Sequence, residues 1–570
     1  MSNPEIVEIL ELTAKLMELH GADPFKIKGY SIAAFYLDKY KDGELQFMTQ
    51  EELTKLQGIG KSTAGKIVEI VKTGTFRELE ELLSNTPLGV MEMFSIKGIG
   101  PKKIGVLWRE LGIDNLHELE IACLNGSVAK LKGFGGSIQQ KILESLAFLK
   151  DQAGKLRMDK AEVVAKLITD ALKNTFSNVE LAGDLRRRSE IVDVIKVLVN
   201  TESPLLLQNA LKEIEFLVQN EKNSSPFIWR GNVQDIAVDV EVIAVKPERM
   251  VNDLFLESAA EAHLGQPTSA GSTLWKNAYF GSVDTEEAIY QNAGLPYIVP
   301  EMREGTGEFQ WAESHSSDQL VTWDDLKGIL HNHSTYSDGQ NTLEQMAVYC
   351  RELGFEYLGI ADHSQSATYA QGLKAEEVVR QHEEITKLNA KFAKENPAKP
   401  FKILKGIESD ILGDGSLDYP AEILASFDYI VASVHSNLTM SREKATARLL
   451  KAIENPYTTI LGHPTGRLLL SREGYPIDHK AVIDACAEHQ VVVEINASPW
   501  RLDLDWRWIS YCLEKGVLLS INPDAHSKEG YFDMHYGVAV ARKGGLTKDM
   551  TFNAFTLNEI EAYLVKRLGK

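Results

Sequence analysis

The segment LKGILHNHSTYSDG, residues 326–339, is a short apolar strand that leads directly into His331, His333 and Asp338. Side chains at positions i and i+2 of an extended segment point to the same face, so the two histidines suit one metal ion. Six more apolar segments in the C-terminal part of the chain end in residues of the same kind. They carry, in order, His363, Glu408, His435, His463, the pair Glu494 and Asn496, and the pair Asp524 and His526.

The repeated alternation of strand and helix predicts a parallel sheet with right-handed crossovers, and seven units indicate a distorted (β/α)7 barrel. The active site of such a barrel lies at the carboxyl ends of its strands, where these residues fall. A single histidine there is most often a hydrogen-bonded core residue, but the repetition argues against that explanation. The number of candidate ligands exceeds what one ion needs and favours a multinuclear centre for phosphoester hydrolysis. The nine candidates are His331, His333, Asp338, His363, Glu408, His435, His463, Asp524 and His526.

The chain has 570 residues, which predicts several domains because single cores stop growing at about 250–300 residues. No apolar run reaches the ~20 residues needed to cross a bilayer, and the acidic start lacks a signal-peptide layout, so no membrane partner is expected. The four cysteines are scattered, which indicates buried or free thiols in a reducing compartment and predicts a cytoplasmic location. They are Cys123, Cys350, Cys486 and Cys512.

The net charge of −20 is unevenly distributed along the chain. Residues 1–150 contain 18 basic and 20 acidic residues, a net charge of −2, so the remaining 420 residues carry −18. Part of that acidity is the set of candidate ligands, which bound cations would offset. Any DNA binding must therefore come from local basic loops and not from the overall charge.

Residues 1–150 contain three similar glycine turns, each of which leads into a helix: LQGIGKSTAGKI at 56–67, IKGIGPKKIGVL at 96–107 and LKGFGGSIQQKIL at 131–143. Free N–H groups at the start of a helix can hold a phosphate, and flanking lysines add positive charge. A lone turn of this type is usually a helix C-cap, but three copies favour phosphate binding. The turns resemble the helix-hairpin-helix module, which grips the DNA backbone; the third copy lacks the lysines and could be structural. The predicted DNA contacts are Gly58, Gly60, Lys61, Lys66, Gly98, Gly100, Lys102, Lys103, Gly133 and Gly135.

The pattern of residues 151–250 predicts a helix followed by strands around VELAG, IVDVIKVLVN, PFIWRG and DIAVDVEVIAV. A polar stretch near residue 320 is typical of a linker. Four features follow one another along the chain: the glycine turns, GDLRRRSE at 183–190, GLPYIVPEMREGTGE at 294–308 and HNHSTYSDG at 331–339. Their order resembles that in bacterial family X DNA polymerases fused to a PHP domain. The resemblance implies a multidomain α/β protein with a helical DNA-binding domain (1–83), a helix-hairpin-helix fingers-like domain (84–150), an α+β palm (151–250) and thumb (251–313), a linker (314–325) and a PHP barrel (326–570).

The resemblance also implies three divalent metal ions and a 3′–5′ exonuclease. His331, His333, Glu408 and Asp524 would hold the first ion and form the catalytic core. Glu408, bridging, would hold the second with His435 and His463, and Asp338, His363 and His526 would hold the third. Mixed histidine and carboxylate ligands suit Zn²⁺, Mn²⁺ or Fe²⁺ without a choice between them. Arg467 and Arg501 are either phosphate contacts or surface charges.

The polymerase motifs depart from the family pattern. Asp184 replaces the serine expected before Arg186 and Arg187, and by spacing the two metal-binding aspartates fall on Val194 and Lys196. Two carboxylates must stand at i and i+2 of a strand to hold the same ions, and Asp193 is followed two residues later by Ile195. Asp239 matches a third carboxylate and Glu241 shares its face, although both could be solvent-facing residues of a half-exposed strand. We therefore expect polymerase activity to be lost.

One further position is open to two explanations. Lys66 falls where related enzymes keep a lysine that forms a Schiff base with deoxyribose phosphate, but Ser62 stands at a companion lysine position. A lysine after such a turn is more often a phosphate contact.

Three functions follow from these patterns. The leading one is a monomeric DNA-repair exonuclease that acts on 3′ ends of gapped or primer–template DNA. The second is a small-molecule phosphatase of the histidinol-phosphatase type, which would not need the glycine turns. The third is a DNA-binding scaffold with structural metals, which are usually mononuclear and fully coordinated.

Overall fold

The structure is a computed structural model that describes residues 1–40, 43–395 and 401–568, apart from the side chain of residue 568. It divides into two units, Met1–Ala153 and Gly154–Lys570. Among the described residues, no helix combines the length and the apolar character needed to span a bilayer. The predicted domain boundaries within these units stay predictions.

The N-terminal unit is built from helices around one apolar core. Ser2 caps the first helix through a reciprocal pair of hydrogen bonds with Glu5, which satisfies N–H groups that the helix leaves unpaired. Leu10, Ile67 and Leu107 are fully buried in the shared core. The α-helices are Asn3–Leu19, Pro24–Asp38, Gln50–Leu53, Lys61–Thr73, Arg77–Ser84, Leu88–Glu92, Pro101–Leu111, Leu116–Leu124 and Gly135–Gln152, with 3₁₀ turns at Leu45–Phe47, Met93–Ser95 and Val128–Lys130.

The second unit begins with a five-stranded sheet, as the alternating apolar pattern predicts. In spatial order its strands are Val179–Ala182, Val194–Asn200, Ile236–Val245, Ile228–Val233 and Leu217–Gln219. Only the pair Val194–Asn200 and Ile236–Val245 is parallel. A separate two-stranded ribbon joins Leu156–Arg157 to Ile191–Val192. The helices of this part are Met158–Lys173, Gly183–Arg186 and Pro204–Lys212.

The next segment packs a small helical core around the buried Tyr290 and Arg303. Its α-helices are Met250–Glu257, Glu261–Leu264, Leu274–Phe280, Glu286–Ala293 and Glu308–Trp311. Leu320 and Val321, in the stretch predicted as a linker, are buried, and the Val321 N–H donates to the Leu546 carbonyl at 3.0 Å. This stretch therefore packs against the C-terminal part of the same unit.

The C-terminal part contains a seven-stranded parallel sheet whose neighbours follow chain order throughout. The strands are Gly328–Leu330, Tyr357–Ile360, Lys402–Asp410, Tyr429–Ser433, Ile460–Leu461, Val492–Asn496 and Leu519–Asn522. The helices are Leu343–Glu352, Ala375–Glu395, Ala421–Leu424, Arg442–Ile453, His479–His489, Ile509–Glu514, Met534–Lys543 and Leu557–Leu568.

The first and last strands of this sheet meet just beyond their carboxyl ends. The Asp524 N–H donates to the His331 carbonyl at 3.0 Å, and the His333 N–H donates to the Ala525 carbonyl at 2.8 Å. The sheet therefore curls round to bring its two edges together, and the predicted (β/α)7 barrel is confirmed.

Glycines make room for a buried aromatic ring inside this barrel. Tyr429 is buried and donates its hydroxyl to the Ile360 carbonyl at 2.9 Å. A Cβ atom added at Gly359 would lie 2.5 Å from the Tyr429 oxygen, and one added at Gly406 would lie 2.3 Å from the ring. Strand glycines at these positions mark a close approach that no larger residue permits.

Replacing Gly359 with alanine should therefore overpack the barrel and lower the free energy of unfolding by about 1–3 kcal/mol. Thermal and denaturant unfolding of the full chain measure this loss. Gly413→Ala is the matched control, because its added Cβ meets nothing nearer than 3.9 Å. Equal stability of Gly359→Ala and the control would contradict this packing explanation.

Candidate metal centre

The nine predicted ligands come together at the carboxyl ends of the barrel strands. They form four overlapping groups in which the ligand atoms lie within 4.8 Å of one another. The groups are His331, His333 and Asp524; His331, Glu408 and His463; His363, Glu408 and His435; and His333, Asp338, His363 and His526. The barrel thus converts positions nearly 200 residues apart in the sequence into one cluster.

Glu408 lies at the centre of the cluster. Its Oε1 is 3.2 Å from His331 Nε2, 3.1 Å from His435 Nε2 and 3.0 Å from His463 Nε2. Its Oε2 is 2.9 Å from His363 Nδ1. A carboxylate with both oxygens facing several imidazoles can bridge more than one ion.

The grouping differs in several respects from the ion assignment that the resemblance implies. His463 groups with His331 and Glu408, whereas His435 groups with His363 and Glu408, so no group joins His435 to His463. His333 faces Asp524, with Nε2 3.0 Å from Oδ1, but it also stacks on His526 with ring centroids 4.2 Å apart. It is therefore shared between the group of the first ion and that of the third, and the division of ligands among ions stays a prediction.

The ligands fit a bound cation because several of their buried polar atoms have no hydrogen-bond partner. His331 Nε2, His333 Nδ1, His363 Nδ1 and Glu408 Oε2 are four such atoms, and each belongs to a residue of these groups. His331 and His363 lie close to the Glu408 oxygens, but these approaches lack hydrogen-bond geometry. An unsatisfied buried polar atom costs about 1–3 kcal/mol, so four in one place need an explanation. Coordination of metal ions would supply it.

Three ligand positions lie in strained backbone. His331, Asp524 and His463 have φ angles of 69°, 52° and 20°, in the left-handed region that residues with a side chain rarely adopt. Such conformations cluster at functional sites, where the surrounding structure holds them.

Two carboxylates outside the nine predicted ligands hold the imidazoles of the candidate ligands in place. Glu494 accepts a hydrogen bond from His331 Nδ1 at 2.6 Å and another from the His463 backbone N–H at 3.1 Å. Asp410 contacts His435 Nδ1 in the same way. A carboxylate on the far nitrogen fixes ring orientation and makes the histidine a better ligand. The position of Asp410, two residues after Glu408 on one strand, was the available signal.

Electrostatics favour the metal-binding form of two candidate ligands, His333 and Glu408, whereas nearby carboxylates raise the pKa of His435 to about 10 and that of His526 to about 9. Burial lowers the pKa of His333 to about 3, helped by the neighbouring His526 and His363, so its ring is neutral near pH 7. Burial opposes ionisation of Glu408, yet the imidazoles around it, His435 foremost, hold the pKa of its carboxyl well below its usual range. Neutral imidazole and ionised carboxylate are the forms that coordinate metals.

The two candidate phosphate-binding arginines have different surroundings. Arg501 Nε lies 3.6 Å from Asp524 Oδ2, at the edge of the cluster. Arg467 is used internally, because it donates to the Arg501 carbonyl at 2.9 Å and pairs with Asp505 at 2.5 Å. The geometry therefore favours Arg501 as the phosphate contact and a structural role for Arg467.

The polymerase-like sheet places Val194 beside Asp239 and Lys196 beside Glu241 in register. Lys196 Nζ lies 2.7 Å from Glu257 and 3.7 Å from Glu241, and Arg230 Nε lies 2.6 Å from Glu241. Glu241 is thus neutralised by two cations. Asp239 is exposed, as expected for a half-exposed strand, whereas Glu241 is partly buried in these ion pairs.

The GDLRRRSE segment is also held by internal ion pairs. Arg187 donates to Asp184 at 2.6 Å and to Glu304 at 3.1 Å, and Arg186 donates to Glu286 at 2.6 Å. The Asp184 carboxylate further accepts from the Asp193 backbone N–H at 3.2 Å. These arginines are occupied by carboxylates of the chain itself.

Two of the three glycine turns share one geometry in the N-terminal unit. Gly58 and Gly98 have φ angles of 77° and 87°, and Gly60 and Gly100 are the N-caps of Lys61–Thr73 and Pro101–Leu111. An added Cβ at Gly60 or Gly100 meets nothing within 4 Å, so the backbone there is open to a ligand.

The third turn and Lys66 differ from the predicted DNA-contact pattern. In the third turn both Gly133 and Gly135 have positive φ, and Phe134 is the N-cap. Lys66 Nζ contacts Tyr30 and Glu78, and only 25% of its side chain is exposed. Lys61 is exposed, and Lys102 has 83% of its side chain exposed although it lies 3.8 Å from Glu18. The geometry therefore favours Lys61 and Lys102 over Lys66 as phosphate contacts.

Comparison with known proteins agrees with this architecture. A helix-hairpin-helix domain model matches residues 1–76 and a PHP domain model matches residues 330–498. The chain is 30% identical to a probable phosphatase of Thermoanaerobacter sp. (strain X514) over 179 residues. This alignment covers 30% of this chain and 70% of the relative. A probable phosphatase of Caldanaerobacter subterraneus is 38% identical over 183 residues, 30% of this chain and 68% of the relative.

One relative matches from end to end. The DNA polymerase/3′-5′ exonuclease PolX of Bacillus subtilis (strain 168) is 34% identical over 585 aligned residues, which cover 99% of each chain. Because this similarity covers almost the full length of both proteins and so spans both units, the chain belongs to the PolX family.

Proposed function

We propose that this chain is a metal-dependent 3′–5′ DNA exonuclease whose chemistry takes place at the cluster around Glu408. The observation that carries the proposal is the convergence of nine histidine and carboxylate side chains at adjoining strand ends, where several buried polar atoms make no hydrogen bond. The PolX relative is named as an enzyme that combines polymerase and 3′–5′ exonuclease activity, and we assign the second of these to this chain.

Three divalent ions of Mn, Zn or Fe would occupy the overlapping groups, with His331, His333, Glu408 and Asp524 at the catalytic core. When bound, such ions supply a nucleophilic water at neutral pH and offset the charge that develops on a phosphodiester. Arg501 would hold a phosphate oxygen of the substrate beside Asp524, 3.6 Å away. Glu494 and Asp410 would keep the His331 and His435 rings in position throughout the reaction.

The glycine turns would bind the DNA backbone. Gly60 and Gly100 start helices of 13 and 11 residues, whose N-terminal N–H groups attract a phosphate. We propose 3′ ends of gapped or primer–template DNA as substrates of a monomeric protein. The predicted cytoplasmic location is in keeping with four buried, unpaired cysteines.

We further propose that the polymerase activity of the family is lost in this chain. Lys196 stands opposite Glu241 where a metal-binding carboxylate is needed, and it is paired with Glu257. A lysine repels the Mg²⁺ ions that nucleotidyl transfer requires. The partial similarity to probable phosphatases supports a second candidate, hydrolysis of a small phosphate ester at the same cluster.

Replacing Glu408 with alanine should abolish shortening of a 5′-labelled primer–template in Mn²⁺, by about 100-fold or more, because the central carboxylate is lost. The matched control is Glu422→Ala, an exposed carboxylate of the same barrel. Full activity of Glu408→Ala would contradict the proposal, and turnover of histidinol phosphate with DNA left intact would favour the phosphatase.

The Glu408→Ala variant also allows polymerase activity to be measured by itself, because no exonuclease activity then removes the added nucleotides. With all four dNTPs and Mg²⁺ or Mn²⁺, the primer should keep its original length, since Val194 and Lys196 provide no carboxylates. Denaturing gels resolve one added nucleotide. Primer extension would show that the palm is active and would contradict the proposed loss of polymerase activity.

Lys61→Ala and Lys102→Ala should each weaken binding to DNA of any sequence and reduce the salt dependence of log K by about 1. Fluorescence anisotropy over a range of salt concentrations measures both effects. Lys72→Ala is the control, because Lys72 is exposed in the last turn of the same helix that Lys61 begins. An equal loss in the control would indicate general charge attraction and not a site at the turn.

A further inference from the structure

An exposed aromatic ring lies beside the metal-ligand cluster. Tyr369 is 64% exposed, and its ring centroid is 6.1 Å from that of His363, with the planes tilted by 59°. Its phenol lies within electrostatic reach of Glu408, Asp410 and Arg501. The ring therefore offers a flat, solvent-exposed surface beside the cluster.

The loop that carries Tyr369 is anchored on the ligand His363 at both ends. It leaves the cluster directly after His363, and the Leu373 N–H returns to the His363 carbonyl at 2.8 Å. Inside the loop Ala367 and Ala370 are buried, which leaves the tyrosine between them pointing outward. The 3₁₀ turn Thr368–Ala370 fixes its backbone.

Further contacts tie the same loop to the ligand shell. Ser366 donates its hydroxyl to Asp410 at 2.7 Å, and Asp410 also holds His435. The Ser366 N–H donates to Asp418 at 2.6 Å. At Gly372 an added Cβ would lie 1.8 Å from the Ser364 carbonyl oxygen, so the loop is tightly closed. These contacts hold the backbone on both sides of Tyr369 in place beside the cluster, as a recognition surface requires.

The chemistry of a nucleotide matches this arrangement in two parts. Its phosphate is an anion, which the ligand cluster and Arg501 can hold, whereas its base is a neutral, flat group that carboxylates and imidazoles do not bind specifically. Aromatic side chains bind any base by stacking. Trp500, the residue before Arg501, is half exposed, but the Arg157 guanidinium already covers one face of its ring, 3.5 Å from the centroid.

We propose that Tyr369 stacks on the base of the 3′-terminal nucleotide and thereby selects an unpaired DNA end for the metal centre. This inference rests on the proposed exonuclease function and specifies the group that the site recognises. Tyr369 would be a substrate-positioning residue that contributes to binding of the terminal nucleoside and takes no part in proton transfer.

The test compares two 5′-labelled single strands of identical sequence in Mn²⁺, one with an ordinary 3′-terminal nucleotide and one whose terminal nucleotide lacks its base. Tyr369→Ala should raise KM for the first substrate by roughly 5- to 100-fold, with kcat little changed. It should leave the second substrate unaffected, because that end has no base to stack. Tyr369→Phe keeps the ring and should stay within about twofold of the wild type on both.

Controls separate stacking from damage to the site. Phe227→Ala removes a ring that is 60% exposed on the polymerase-like sheet and should change neither substrate. The metal content of Tyr369→Ala, measured by elemental analysis, should equal that of the wild type.

Four results would overturn the inference: equal effects of Tyr369→Ala on both substrates, no effect on either, a loss in Tyr369→Phe as large as in the alanine variant, or loss of bound metal. Each of these leaves the proposed exonuclease function intact. If the wild-type protein itself shortens neither strand, the proposed function fails and this inference fails with it.

Discussion

A buried carboxylate surrounded by imidazoles is the constraint on which the C-terminal part of the chain depends. Glu408 is 1% exposed, and four histidines from four other strand ends lie within 3.2 Å of its oxygens. A charge in such a place is unfavourable unless it is compensated from all sides. The barrel provides this compensation because parallel strands deliver their carboxyl ends to one rim. Fold and site are thus consequences of one topology.

Much of this architecture could be predicted from the sequence, because strand-end ligands and strand periodicity are local signals. All seven barrel strands and all nine candidate ligands fall where the pattern indicates. The partners of side chains could not be predicted in the same way. Glu494 and Asp410 acquire their orienting roles only through contacts across the barrel, and Lys66 and Arg467 are occupied by Glu78 and Asp505 from other elements. Nothing in the spacing along one strand specifies which neighbour a charge will meet.

In the polymerase-like sheet, basic residues of the chain itself pair with the carboxylates. A polymerase site concentrates carboxylates that only metal ions can neutralise. In this chain Lys196 and Arg230 neutralise Glu241 from within the protein, and Arg186 and Arg187 are paired with Glu286 and Glu304. The charges therefore contribute to holding the sheet and the helical segment together, which gives the region a structural reason to persist.

The seam of the barrel gives the metal centre a second consequence. The hydrogen bonds that join the first and last strands are made by the backbones of His331, His333 and Asp524, which are themselves ligands. The side chains of these residues form one group that could hold an ion, while their main chains hold together the two edges of the sheet. Binding of an ion to this group would therefore favour closure of the barrel. An ion bound at this point would link segments almost 200 residues apart, so that the barrel would close and the metal centre would form in the same step.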